Sequence, residues 1–166
     1  NSTNVGQYTN IQAGLNKAYD LLKTKTGATP VIILLSDGQP NRYYNANKSY
    51  EANPKRYPFG NTDRQGSGTT ANNNSVINTV KQAINNKTVL GSSTKIYTIG
   101  FALDTITDAA QKKFAYATLN PTAANISAAG LTNALNEASH KYNDSFYSGS
   151  IGDLGAIFTE IIDEMI

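Results

Sequence analysis

The chain contains no cysteine and no tryptophan, and it has a single histidine, His140, among its 166 residues. The absence of cysteine excludes disulfide bonds, thiolate metal ligands and a thiol nucleophile. With one histidine, any mechanism that needs a histidine base has one candidate residue. A histidine near the end of a predicted helix is more often a solvated side chain that complements the helix dipole.

Charged residues are also scarce, at 16% of the chain, and they nearly balance to a net charge of +2. This charge gives no electrostatic attraction to nucleic acid or to an anionic membrane surface, so we expect neither as a partner. The longest apolar run, residues 30–35, is far shorter than the roughly 20 residues that span a bilayer, so we expect no membrane insertion within this chain. A cysteine-free surface with many Asn, Thr and Tyr residues is compatible with an extracellular protein.

Apolar residues at helical spacing predict five helices, over residues 10–23, 75–85, 108–117, 131–141 and 154–165. The first helix has Thr9 or Asn10 as its candidate N-cap. Before the last helix, Ser150 and Asp153 have capping-box spacing. The last helix has the clearest pattern, since its apolar residues follow one face: Leu154, Ile157, Phe158, Ile161, Ile162 and Met165.

The apolar run without alternation at residues 30–35 is typical of a strand that is buried on both faces of a parallel sheet. Residues 95–101 (KIYTIGF) are predicted as a second strand. Residues 144–148 are predicted as a third, short strand. The alternation of strands and helices predicts an α/β fold, with a Rossmann-like, doubly wound and mostly parallel sheet and helices on both faces. Three strands would leave residues 31–35 or a neighbouring strand as an exposed apolar edge. We therefore expect one domain over residues 1–166 whose sheet is incomplete on its N-terminal side.

Residues 41–73 have neither a helical nor a strand period, so they are predicted to be a long inserted loop. The segment mixes tyrosines with arginines and lysines, and Tyr and Arg are enriched in binding hot spots. Its first residues follow the end of the first strand, and we expect Asn41, Arg42, Tyr43 and Tyr44 to contact a partner. A solvated insertion without any binding role is the alternative.

The end of the first strand carries the candidate site. Ligands of open α/β sheets bind beyond the carboxyl ends of the strands. Asp37 lies at that end, and Gly38 beside it allows close approach of the backbone. Thr9 precedes the helix that leads into this strand, which places its hydroxyl at the same edge of the sheet. The simpler interpretation is that Asp37 is a turn residue and Thr9 an N-cap.

Four segments, in this order, resemble a von Willebrand factor type A domain: TNIQAGLNKAYDLL, VIILLSDGQPN, TKIYTIGFAL and FYSGSIGDLGAIFTEIIDEM. They are similar to the family's threonine loop with its helix, the strand that ends in a metal-site aspartate, the next strand, and the final strand with its helix. The resemblance extends from about residue 6 to the C-terminus and is interrupted by the aromatic loop. It implies that the chain is the C-terminal portion of such a domain.

The resemblance also implies a metal-ion-dependent adhesion site. Thr9 would supply a hydroxyl and Asp37 a carboxylate to a divalent cation, Mg²⁺, Ca²⁺ or Mn²⁺, which would then bind an acidic group of a partner. The family's Asp-x-Ser-x-Ser element is missing. The most similar segment begins at Asp144, but Phe146 occupies the position of the first serine and has no oxygen in its side chain to coordinate a metal. A missing N-terminal segment or a second chain is expected to supply that element.

These features predict a binding module and no enzyme, because no nucleophile and base are paired, and Ser36 lacks a Gly-x-Ser-x-Gly elbow. We expect an adhesin-like domain on the bacterial cell surface, as a pilus tip or minor pilus component. Its partner would be a host or matrix protein, or other pilus subunits. Two alternatives stay open: an intracellular metal-dependent subunit of a chelatase or a stress response, and, more distantly, an α/β hydrolase or phosphotransferase.

Overall fold

The computed structural model describes residues 9–44, 63–65, 69–135 and 141–165. In chain order, the elements are α1 (Ile11–Leu22), β1 (Val31–Ser36), β2 (Arg42–Tyr44), β3 (Asp63–Gln65), α2 (Thr69–Leu90), β4 (Lys95–Phe101), α3 (Ala109–Leu119), α4 (Ala123–Ala128), β5 (Ser145–Gly149) and α5 (Leu154–Met165). Short 3₁₀ turns precede α3 and α5. Strands of a parallel sheet alternate with helices, so the predicted α/β class is confirmed.

The main sheet has three parallel strands in the order β1-β4-β5. In the register, Ile33 lies opposite Tyr97, and Thr98 lies opposite Phe146. β4 is the central strand, and its residues from Ile96 to Gly100 are all buried. The three strands that the sequence predicts are confirmed to within one or two residues. This arrangement is consistent with a Rossmann-like fold.

The two faces of the sheet are covered unequally. Side chains alternate between faces along each strand, and Ile32 and Ile96 belong to a large core cluster that includes residues of α1, α2, α3 and α4. On the opposite face, Tyr97 packs in a smaller cluster with Ile157 and Ile161 of α5. Helices lie on both faces as predicted, but within the described residues one face has α5 alone.

The prediction of an unstructured loop over residues 41–73 is wrong in part. β2 and β3 pair as an antiparallel ribbon, with Tyr43 opposite Arg64, and α2 begins at Thr69 instead of residue 75. Strands of three residues are too short to show an alternating pattern. The first turns of α2 are polar (TTANNN), so they have no apolar period either. The predicted helices over residues 75–85 and 108–117 are confirmed within α2 and α3.

The prediction of a helix over residues 131–141 is wrong for its first half. Residues 132–135 form a turn and a bend, and residues 136–140, with His140, lie outside the described residues. A short helix that the sequence did not suggest, α4, comes before this turn. Its cap Thr122 accepts a hydrogen bond from the Asn125 amide, and Gly130, at φ 71°, reverses the chain after it. Leu131 and Leu135 are buried in the large core cluster, which explains their apolar spacing without a helix.

α5 begins as predicted and packs differently. The capping box of Ser150 and Asp153 is present, one turn before the α-helix itself. Ile157 and Ile161 are buried, whereas the apolar residues beside them are exposed: Phe158, Ile162 and Met165. The apolar face that the sequence predicts is therefore only partly buried, on the side that carries Ile157 and Ile161. In the described part of the chain, no helix has the length and hydropathy needed to cross a membrane.

Candidate functional site

The carboxyl ends of β1 and β4 and the start of α1 line one open cavity of ≈ 570 Å³. We call it the C-terminal cavity. Thr9 and Asp37, which the sequence places at the same sheet edge, both line it. Phe101 contributes from the end of β4, and the other lining residues are Asn10, Ile11, Gly14, Leu34, Leu35 and Ser36. The two predicted metal ligands thus line the same cavity.

Asp37 is held at the cavity by a turn that Ser36 closes. The Ser36 hydroxyl donates to the Gly38 carbonyl at 3.1 Å, and it accepts from the Gly38 amide at 3.4 Å. The Asp37 side chain is exposed, and within the described residues its carboxylate has no hydrogen-bond or ion-pair partner. The turn therefore fixes the backbone of Asp37 and leaves its carboxylate available to a ligand.

Thr9 is tied to the strand end by its backbone. Its amide donates to Asn41 Oδ1 at 2.8 Å, and its carbonyl accepts from the amides of Asn41 and Arg42 at 3.0 and 3.2 Å. These three bonds, which we call the Thr9–Asn41 clasp, join segments 32 residues apart in the chain. Asn10 is the N-cap of α1, because its Oδ1 accepts from the Ala13 amide. The capping alternative for Thr9 is thereby excluded, and no hydrogen bond among the described residues uses the Thr9 hydroxyl.

The four residues predicted to contact a partner lie at the start of the ribbon. Asn41 precedes β2 and forms the clasp, a role that the sequence did not indicate. Arg42, Tyr43 and Tyr44 constitute β2, which packs against α1 and α2. The Tyr43 hydroxyl accepts from Asn74 Nδ2 at 3.4 Å, so this tyrosine also anchors the ribbon to α2. Nothing in these contacts tests a role in partner binding.

Each strand of the main sheet is followed by an aspartate, and two of the three are already engaged. Asp104, after β4, forms an ion pair with Lys112 at 3.4 Å and accepts from the Tyr116 hydroxyl. Asp153, after β5, accepts from both the hydroxyl and the amide of Ser150 at 2.7 Å, and these bonds lower its pKa. Asp37 is the member of this set whose carboxylate has no partner among the residues that the structure describes.

The oxygen atoms of Thr9 and Asp37 are of the type that a divalent cation binds, but they are too few to fill its coordination sphere. A hydroxyl and a carboxylate are hard oxygen ligands of the type that Mg²⁺, Ca²⁺ and Mn²⁺ take, and such ions need about six. Among the described residues, no cluster of three or more His, Cys, Asp or Glu side chains is placed to hold a metal. Thr9 and Asp37 would therefore form part of a coordination sphere, with other ligands from water or another segment.

The chain matches no protein-family model, no curated protein and no solved structure.

Proposed function

We propose that the chain is a protein-binding module in which a divalent cation, held in part by Thr9 and Asp37, engages an acidic side chain of a partner protein. The observation that carries this proposal is the pairing of Thr9 and Asp37 in one open cavity, with the carboxylate of Asp37 free of any described partner. A cation bound mainly by neutral oxygens keeps net positive charge, and an open coordination position then accepts a carboxylate.

The remaining ligands of the cation come, in this proposal, from an Asp-x-Ser-x-Ser segment in a von Willebrand factor A-like arrangement. The segment is supplied from the N-terminal side or by a second chain. Asn41, just before the ribbon, accepts a hydrogen bond from Thr9, which lines the cavity. In this proposal, Arg42 and Tyr43 contact a partner that reaches the cation. With Thr9 and Asp37 as its protein ligands, the chain by itself should bind the cation weakly.

The setting that we propose is the bacterial cell surface. The absence of cysteine and the many Asn, Thr and Tyr residues are compatible with this location, and the resemblance to adhesion domains favours it. The partner is then a host or matrix protein, or another subunit of a pilus in which this chain is a tip or minor component.

The test must detect weak binding and locate it. We would add Mn²⁺ to the isotope-labelled protein and record the paramagnetic broadening of its amide signals. We expect broadening centred on Thr9 and Asp37, and its loss in the Asp37→Ala variant. Asp163→Ala, which removes an exposed aspartate from α5, is the matched control and should leave the pattern unchanged. Equal broadening in wild type and Asp37→Ala, or broadening centred on the acidic end of α5, would contradict the proposal.

A further inference from the structure

The free edge of β1 has the side chains of a central strand. β1 reads VIILLS, without a charged residue or a proline along its length. Edge strands of native sheets usually carry such residues, because an open row of backbone donors and acceptors invites unwanted pairing. Within the described residues, β1 pairs with β4 on one side and has no strand on the other.

Exposed apolar side chains lie on this edge strand and on α5, the helix that covers one face of the sheet. On β1, Ile33 and Leu35 point to that face and are 39% and 47% exposed, whereas Ile32 on the other face is 6% exposed. On α5, the exposed stripe is made of Phe158, Ile162 and Met165, at 38%, 49% and 42%. We call these five residues the open face. Soluble proteins seldom expose several large apolar side chains on one side of a sheet without an occupant.

The open face adjoins the smaller core cluster. Val31 of β1 and Leu154 of α5 pack against that cluster, which contains Tyr97, Ile157 and Ile161. Parallel sheets are found with both faces covered by helices, and here the large cluster lies on the other face. Among the residues that the structure describes, no second layer covers the open face.

The path of the chain indicates on which side the sheet continues. The connection from β1 to β4 runs through α2, and the connection from β4 to β5 runs through α3 and α4. These helices all contribute to the large cluster, on one face. Parallel connections are right-handed in nearly all proteins, so helices on this face connect strands that advance in the direction β1 to β4 to β5. α1 contributes to the same cluster and leads into β1. A strand that precedes α1 therefore belongs on the outer side of β1.

We infer that the outer edge of β1 and the open face bind a strand–helix segment of the polypeptide that leads into α1. The strand runs parallel to β1, and the helix lays its apolar side on Ile33, Leu35 and the stripe of α5. Residues 1–8 contain one aliphatic side chain, Val5, so the occupant is an upstream segment richer in β-branched and aliphatic residues. This inference deepens the proposed function, because it assigns a position to the N-terminal segment invoked there, but its observations concern the sheet and its test does not depend on a metal ion.

The direction of the β1 amides makes the inference testable by hydrogen exchange. The Pro30 carbonyl accepts from the Lys95 amide at 2.9 Å, and backbone groups alternate in direction along a strand. The amides of Ile32 and Leu34 therefore point to β4, whereas those of Val31, Ile33 and Leu35 point to the outer edge. We would measure amide exchange by NMR in the full-length native protein, in the presence of a chelator.

We expect the outer amides of Val31, Ile33 and Leu35 to be protected as strongly as those of Ile32 and Leu34. Rapid exchange of the three outer amides beside protected inner ones would overturn the inference. Protection that appears only as the protein concentration rises would also overturn it, because a second copy would then occupy the edge. The chelator keeps this result separate from the proposed function, since no outcome depends on a cation.

Lysine substitutions provide a second measurement on the same full-length protein. Ile33→Lys and Ile162→Lys should lower the melting temperature, because each would place a charge under the docked segment. Leu21→Lys and Val89→Lys are the matched controls, at side chains that are 59% and 55% exposed away from the open face, and should change it little. Equal effects of the two pairs would show that the open face faces solvent, and would overturn the inference.

Discussion

Asp144 and Asp37 lie at opposite ends of the same parallel sheet and differ in what surrounds their carboxylates. Asp144, just before β5, accepts from Lys87 Nζ at 2.8 Å, from the Ile96 amide at 2.9 Å and from Lys95 Nζ at 3.4 Å. Asp37, just after β1, is exposed and has no such partner among the described residues. One carboxylate stabilises the junction of α2, β4 and β5, and the other adds nothing visible to the packing.

The comparison shows how to separate a structural carboxylate from a candidate ligand. Partial burial by itself would raise the pKa of Asp144, but the hydrogen bonds from Lys87 and Ile96 and the charges of Lys87 and Lys95 outweigh it and hold the pKa below its ordinary value. Those contacts stabilise the folded state. Since Asp37 forms no comparable contact, its charge can interact with a ligand without breaking an interaction of the fold.

The largest expected effect is the loss of stability in Asp144→Ala. The variant leaves the Ile96 amide without its acceptor and removes the ion-pair partner of Lys87, which keeps its hydrogen bond to the Tyr142 carbonyl, so we expect a cost of about 2 kcal/mol. For a chain of this length, that corresponds to a fall in melting temperature of about 4–8 °C. Thermal unfolding at neutral pH, followed by circular dichroism, measures it. Asp37→Ala is the control and should leave the melting temperature unchanged; equal losses in the two variants would remove the distinction between the two ends.

The same pair of variants predicts a pH dependence. Because the folded pKa of Asp144 is below the ordinary 3.8, its contribution is present above that pH and is lost as the pH falls through the folded value. The stability difference between wild type and Asp144→Ala should therefore shrink when the pH falls below 3.8. Denaturant unfolding over a pH series checks this. A difference that stays constant into strong acid would show that the ionised carboxylate is not what stabilises this end.

A smaller effect is expected for Asn41→Ala, which removes the side-chain bond of the clasp and leaves its backbone bonds. We expect a loss of about 1 kcal/mol, faster exchange of the Thr9 amide, and weaker Mn²⁺ broadening at Thr9. Asn41→Asp retains an acceptor oxygen and should restore the protection of the Thr9 amide. If exchange of that amide is the same in wild type and Asn41→Ala, the clasp does not position Thr9.

The strands and the site edge were predictable because their signals are local or follow a general rule. β1 is a continuous apolar run, which is typical of a buried parallel strand, and β4 (KIYTIGF) is rich in β-branched and aromatic residues without strict alternation. Once they were assigned, the rule that ligands bind at the carboxyl ends of strands was enough to place Asp37 and Thr9 at one edge. Their pairing in the C-terminal cavity agrees with that reasoning, while their role as metal ligands stays a prediction.

The features that the sequence did not indicate depend on contacts between distant residues. The Thr9–Asn41 clasp is an example, since an asparagine after a strand is compatible with many turns. Asn86 is another: its Nδ2 donates to the Leu15 carbonyl at 2.7 Å, which fixes α2 against α1 although α2 is polar over much of its length. Leu131 and Leu135 have helical spacing and are buried without a helix, because tertiary packing outweighs local periodicity.

Glu164 provides the smallest test of the comparison, since this carboxylate lies at the same end of the sheet as Asp144 but is exposed. The Tyr147 hydroxyl donates to it at 2.6 Å. Burial, followed by this hydrogen bond, raises the pKa of Tyr147 to about 12. Because this pKa is above the ordinary 10.0, the contribution of the phenol is complete below pH 10.0 and is lost as the pH rises towards 12.

Tyr147→Phe should therefore cost about 0.5 kcal/mol at neutral pH, in the range of an exposed pair, and the cost should vanish in strong alkali. Thermal unfolding over a pH series, together with ultraviolet titration of the phenols, measures both. Tyr19→Phe is the control, since the Tyr19 ring keeps its contact with Lys23 without the hydroxyl. If Tyr147→Phe cost as much stability as Asp144→Ala, the exposed hydrogen bond to Glu164 would be as strong as the partly buried contacts of Asp144. The difference between Asp144 and Asp37 would then depend only on whether the carboxylate has a partner, and not on its burial.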